Sequence, residues 1–165
     1  MSESRRDLLT GTGPFTLEWL VSNCWILGGA MAGMKIFLSG PQAYGPDPLV
    51  DTWLEEAGLP KTYRFTSDVM EAARDADVIY TDVWTSMGQE AEAERRRALF
   101  PPYQLNAALL AEAEPDALVM HCLPDHKGYE VSDTVIYHPN SVVFDQAENK
   151  MHLHQALLEK LLIKM

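Results

Sequence analysis

Asp77-Val78-Ile79-Tyr80-Thr81-Asp82-Val83-Trp84-Thr85-Ser86-Met87-Gly88-Gln89-Glu90 and, later in the chain, Ala117-Leu118-Val119-Met120-His121-Cys122-Leu123-Pro124 are the stretches whose reading decides the fold. Each opens on a short apolar run of strand type and passes into a polar loop. Runs of this kind are buried parallel strands, and open α/β sheets bind their ligands where such strands end. Two loops then face one crevice. The first offers a carboxylate, a hydroxyl and backbone amides beside a glycine. The second offers a thiol and a carbonyl held in place by a following proline. That inventory suits a small zwitterion.

Working outward, strand-like runs recur near 15–20, 35–39, 62–65, 77–82, 117–122 and 141–145. Helix-like stretches fall between them near 23–33, 48–57, 68–73, 105–113, 132–137 and 148–162, several opened by Ser, Asp or Asn caps or by a first-turn proline. Regular alternation predicts an α/β fold: a doubly wound, mostly parallel sheet with flanking helices and right-handed crossovers, a Rossmann-like single domain. Arg95-Arg96-Arg97, which follows Glu90, Glu92 and Glu94, reads as a solvated helix face of mixed charge.

A chain of 165 residues, 47% hydrophobic and 22% charged, has the composition of one globular domain with a sizeable core. Thirteen basic against 24 acidic residues leave a net charge of -11, which argues against a general grip on nucleic acid or anionic lipid. Two cysteines, Cys24 and Cys122, with no C-x-x-C pair, point to neither a disulfide framework nor a metal site, and a reducing cytoplasm is the expected setting. Residues 1–7 are polar with no apolar stretch close behind them, so export is not expected. Sixteen uncharged residues run from Trp19 to Met34 and include the spacing Gly29-x-x-x-Gly33. A bilayer span needs about 20 apolar residues, and this run is interrupted by Ser22 and Asn23, so no membrane segment is expected.

The two opening stretches, together with Pro41-Gln42-Ala43-Tyr44-Gly45-Pro46-Asp47-Pro48 and Ser141-Val142-Val143-Phe144-Asp145-Gln146-Ala147-Glu148-Asn149-Lys150-Met151-His152, resemble the ornithine carbamoyltransferase family. Several motifs in the right order carry far more weight than one short match. The resemblance spans roughly 16–162 and is to the C-terminal, ornithine-binding half of that family. It implies a domain organisation of a non-matching segment, 1–14, followed by an ornithine-binding domain, 15–165. No Ser-x-Arg-Thr or His-Pro-x-Gln motif occurs in the sequence, so the carbamoyl-phosphate domain is expected to be absent.

The activity implied is transfer of a carbamoyl group from carbamoyl phosphate to the δ-amine of ornithine, giving citrulline, in arginine biosynthesis, with no cofactor. The chain alone is expected to be inactive, carbamoyl phosphate needing a second domain or chain for its site. The alternatives are a non-catalytic amino-acid-binding or interaction module and a remnant without a ligand. Asp82 by itself reads as a cap of the following turn. The resemblance makes it the partner of the substrate's α-amino group, helped by Ser86 and by the backbone of Met87. Cys122 by itself reads as a small buried hydrophobe. The resemblance has its sulfur orient the ornithine δ-amine while the Leu123 carbonyl faces the carbamoyl group. His121 reads as a structural hydrogen-bonder. Lys150 stands where the family has arginine against the carbamoyl phosphate oxygen, keeping the charge but losing the planar fork. The family's glycine- and asparagine-rich turn, which holds the α-carboxylate, is shortened away, and Asn23 reads either as its remnant or as a helix cap. Finally, Leu153, Leu157, Leu158, Leu161 and Leu162 form a helical stripe. It predicts an exposed apolar patch, and with it self-association or a partner protein bound through the C-terminal helix.

Overall fold

The computed structural model describes residues 17–85 and 90–163. The chain forms two compact units, the first made of residues up to Ile36 with Pro46–Thr62, the second of Phe37–Gly45 with the remainder from Tyr63.

The first unit is a pair of helices, α1 (Leu17–Ala32) and α2 (Leu49–Glu56), which bury Ile26 and Ala30 of one with Val50 and Leu54 of the other. The two glycines of the Gly29-x-x-x-Gly33 spacing do local work here. Gly33 takes a φ of +72° and ends α1, and the Met34 amide turns back 2.8 Å onto the Gly29 carbonyl. A Cβ on Gly29 would lie 2.7 Å from the Ile36 side chain, so only glycine lets that residue approach. No helix among the described residues is long and apolar enough to cross a membrane. The strand expected over 15–20 is not found where the structure describes it, because Leu17 to Leu20 are the first residues of α1. No glycine or proline separates them from the helical run behind, so the helix propagates backward through them.

The second unit carries the strands. After β1 (Ile36–Ser39), whose last three residues belong to it, come β2 (Tyr63–Thr66), α3 (Val69–Ala73), β3 (Val78–Thr81), α4 (Glu90–Leu99), α5 (Ala107–Leu110), β4 (Leu118–His121), α6 (Asp133–Ile136) and α7 (Val143–Leu162). Short 3₁₀ turns at Gln42–Tyr44 and Pro101–Tyr103 join them. Asp68 and Asn106 cap α3 and α5, each accepting two backbone N–H groups.

The alternation makes an α/β fold, and among the described residues the strands form two two-stranded sheets, β1 with β2 and β3 with β4. Phe37, Ser39 and the four consecutive residues of β3 line one cavity of about 140 Å³. Successive strand side chains point to opposite faces, so four in a row mean that β3 turns its backbone edge to that space. The strand expected over 141–145 is reduced to a parallel bridge between Ser141 and Val119, after which the chain enters α7 with Val143 fully buried. The core beneath β4 gathers Ala73, Leu105, Leu109, Val119, Val131, Val135, Ile136 and Val143, and Leu123 packs against it from the loop that follows.

Candidate functional site

β3 and β4 are parallel and in register, Thr81 opposite His121, so Asp82 and Cys122 lie one step beyond the last registered pair, at the carboxyl ends of both strands. The expected convergence follows from that register. The Cys122 thiol donates to Asp82 Oδ1 at 2.7 Å, and the same oxygen accepts the Val83 N–H at 2.7 Å. Burial, then the hydrogen bond to Asp82 and its charge, push the Cys122 thiol from an ordinary 9.0 up to about 11, outweighing the Tyr80 hydroxyl and the Lys150 charge. At neutral pH the sulfur therefore carries its proton. It is a donor and a soft acceptor, not a thiolate nucleophile.

Lys150, two turns along α7 from Val143, brings its Nζ 3.0 Å from the Cys122 carbonyl. Leu123 follows with a φ of +50°, a left-handed conformation that a side chain of its kind adopts only where its surroundings impose it, and a cis peptide links it to Pro124. His121 supplies the imposition. Its Nδ1 accepts the Leu123 N–H at 2.8 Å, so the ring nitrogen there is bare and the proton of a neutral ring sits on Nε2. Nε2 faces Glu130 Oε1 at 3.4 Å, longer than a well-formed hydrogen bond and close enough for a strong electrostatic contact. His121 is 1% exposed and Glu130 0%. Burial alone would raise the Glu130 carboxyl, but His121 and the backbone amide of His126, which donates to Oε1 at 2.6 Å, together hold it below the ordinary 4.5. The Glu130 carbonyl in turn accepts the Leu105 N–H at 2.8 Å, which ties the residue to the core.

The Asp82 loop is held from its other side. Arg96 donates through Nη1 to the Trp84 carbonyl at 2.8 Å, pairs with Glu92 at 3.4 Å and lies over the Tyr44 ring, 5.1 Å from its centroid. Arg96 is 3% exposed, so the reading of Arg95-Arg96-Arg97 as a wholly solvated face is corrected at its middle residue. Its charge is placed by three partners rather than by water. The Trp84 ring meets those of Phe100 and Tyr129 at 6.0 and 6.2 Å.

Of the residues expected at the site, Asp82, Cys122, Leu123 and Lys150 come together in the second unit. Ser86 and Met87 lie outside the described residues. Asn23 is in the first unit, inside α1 rather than at its end, so the cap reading is overturned; its buried Oδ1 has no hydrogen-bond partner among the described residues. Sequence reasoning passed over Tyr80, Gln146, Glu130 and Arg96. Tyr80 alone carried a signal, since it lies two residues before Asp82 on a strand of period two. Both cysteines are free, Cys24 exposed and Cys122 half-buried, and no group of metal-binding side chains occurs among the described residues.

Residues 20–161 match the family model described as "Aspartate/ornithine carbamoyltransferase, Asp/Orn binding domain". Among curated proteins the chain is similar to the ornithine carbamoyltransferase of Archaeoglobus fulgidus, 49% identical over 154 residues, which are 90% of this chain and 50% of that protein. It is also similar to that of Thermococcus kodakarensis, 48% identical over 140 residues, 84% of this chain and 44% of that one. Among solved structures, ornithine carbamoyltransferase from Pyrococcus furiosus superposes with a TM-score of 0.74 at 46% identity, covering 84% of this chain and 45% of that one. The anabolic enzyme from Campylobacter jejuni gives 0.78 at 32%, covering 87% and 48%. The chain thus spans about half the length of the curated relatives it matches.

Proposed function

This chain belongs to the aspartate/ornithine carbamoyltransferase family, matching its Asp/Orn-binding domain, and from that premise we propose that it is the amine-substrate half of an ornithine carbamoyltransferase. The observation that carries the reading is the 2.7 Å pairing of a protonated thiol with a carboxylate at the ends of two adjacent parallel strands. Ornithine at neutral pH carries two ammonium groups and one carboxylate. Asp82, with Ser86 and the Met87 backbone, takes its α-ammonium, and Cys122 takes the δ-nitrogen. The Leu123 carbonyl faces the carbamoyl group and Lys150 its oxygen.

To react, the δ-nitrogen must be neutral and aimed. It forms a bond to the carbamoyl carbon, the bond from that carbon to the phosphate oxygen breaks, and the amine's proton leaves with the departing phosphate. Cys122 contributes by orienting the nitrogen lone pair, a positioning effect, and its raised pKa keeps it from competing as a nucleophile. Carbamoyl phosphate is gripped, on this reading, by residues beyond these 165, and a thiol in the site suits a reducing compartment such as the cytoplasm. The exposed leucines of α7 are the surface through which another domain, chain or copy is met.

Calorimetric titration with ornithine tests the amine half directly. Weak, saturable binding is expected, lost in Asp82→Asn and in Cys122→Ala, with no citrulline formed from added carbamoyl phosphate by the 165-residue chain. Binding unaffected by both substitutions overturns the site. Rapid citrulline formation overturns the division of labour.

A further inference from the structure

The Asp82–Cys122 pair sits on top of a third group. Tyr80 and Met120 are registered partners one pair below Thr81 and His121, so Tyr80 lies two residues before Asp82 on the same face, directly beneath the Asp82–Cys122 contact. Its hydroxyl hydrogen-bonds the Cys122 thiol and the Gln146 side chain. Gln146 reaches it from the first turns of α7, where its Oε1 already accepts the His121 N–H at 3.1 Å, which leaves its amide N–H₂ for the phenol oxygen. With the thiol donating to Asp82, the directions are then determined throughout. Gln146 donates to Tyr80, Tyr80 to Cys122, and Cys122 to Asp82.

We propose that Tyr80 is a positioning residue for the amine site, holding the Cys122 sulfur from below so that its remaining lone pair and proton point to the strand ends where the substrate nitrogen arrives. This rests on the reading of Cys122 as the δ-amine ligand. A thiol side chain turns about one torsion, and without a donor beneath it the sulfur has only Asp82 to fix it. When an ammonium group takes Asp82 as its partner, the thiol loses that acceptor and the Tyr80 hydroxyl is the contact that keeps the sulfur in place. The phenol is suited to the task. Burial first, then the neighbouring Cys122 and Asp82, push it above its usual range, so it stays a donor at every physiological pH.

The donor also stabilises the thiolate, and this gives a readout that simple packing would not move. In a Cys24→Ser background, Cys122 is alkylated with iodoacetamide across pH 8–10 with and without ornithine. Tyr80→Phe, which keeps the ring, is expected to slow alkylation at fixed pH about threefold, the equivalent of roughly half a pKa unit. Gln146→Met, which leaves Tyr80 in place but frees its oxygen, shifts the rate in the same direction by less. Asp82→Asn accelerates it. Thermal unfolding of each variant verifies that the rates refer to folded protein. Equal rates for the parent and both Tyr80→Phe and Gln146→Met overturn the proposal, as does faster alkylation in Tyr80→Phe. If ornithine gives no protection in the parent while the threefold effect is present, the amine-site reading falls and the role of Tyr80 toward the sulfur stands. Protection by ornithine with no Tyr80 effect has the opposite meaning.

Discussion

The two ends of α7 are built on opposite principles. At its start Val143 is fully buried in the core, Gln146 accepts the His121 N–H and Lys150 donates to the Cys122 carbonyl, so the helix forms one wall of the strand-end site. From Met151 onward Leu153, Leu157, Leu158, Leu161 and Leu162 are all exposed, the last at 71%. One end of the helix sets polar groups, Gln146 half-buried and Lys150 exposed, in hydrogen bonds to the buried strand end; the other exposes apolar groups that nothing in this chain covers among the described residues. Buried polar contacts demand geometry, because an unmatched group loses its hydration without replacement. Exposed leucines demand only an apolar surface, which is the mark of an interface. The site end is therefore specified by contacts within this chain, and the bare end by none of them among the described residues.

The sharpest way to break this contrast is at the buried polar side. His121→Leu removes the N–H facing Glu130 and the acceptor of the Leu123 amide at once, and is expected to cost about 3 kcal/mol in urea unfolding, as for a buried charged group left short of partners. Glu130→Gln has a pH signature. The Glu130 carboxyl is held below 4.5 when folded, so its contribution to stability is present above that value and disappears as pH falls through the lower folded value. Gln at this position should flatten the acid limb of the stability curve. An unchanged acid limb would mean that the pair contributes no charge-dependent stability.

A smaller effect is expected on the alkaline side. The folded Cys122 pKa of about 11 lies above the ordinary 9.0, so the thiol contributes stability that is fully present below 9.0 and is lost as pH rises through 11. In Cys122→Ala the decline between those values should be shallower, while Tyr80, raised as well, keeps a residual decline at higher pH. The smallest change in stability is expected at the other end of α7. Leu157→Lys with Leu161→Lys should alter unfolding by no more than about 0.5 kcal/mol, because both side chains already face water. The same pair should abolish self-association in light scattering. A large loss of stability there would show that the stripe packs on this chain and would erase the comparison.

The site was legible from sequence where local pattern and chemistry coincide. An apolar run of strand type followed by a carboxylate, and another followed by a thiol and a proline, placed Asp82 and Cys122 together, and the register of β3 with β4 confirms the placement. Lys150 was reached through the family motif alone. Glu130 was not legible, because it follows His121 by nine residues of irregular loop and meets it only through the Leu105 and His126 backbone contacts that fold the loop back. Arg96 was misread for a related reason. Three consecutive arginines after alternating glutamates look solvated by charge count, yet a helix turns each of them to a different side, and the middle one faces Tyr44 and the Trp84 carbonyl.

The sequence by itself determined the α/β alternation, the strand ends that carry Asp82 and Cys122, and the leucine stripe of α7, since each is written in a local period of two or of 3.6 residues. Only the tertiary structure decided that Leu17 to Leu20 join a helix, that Arg96 and Glu130 are buried, and that Tyr80 and Gln146 stand beneath the thiol. Those outcomes depend on which distant groups supply partners once water is removed, and the desolvation of a polar side chain is a property of its neighbours in space, which no local period records.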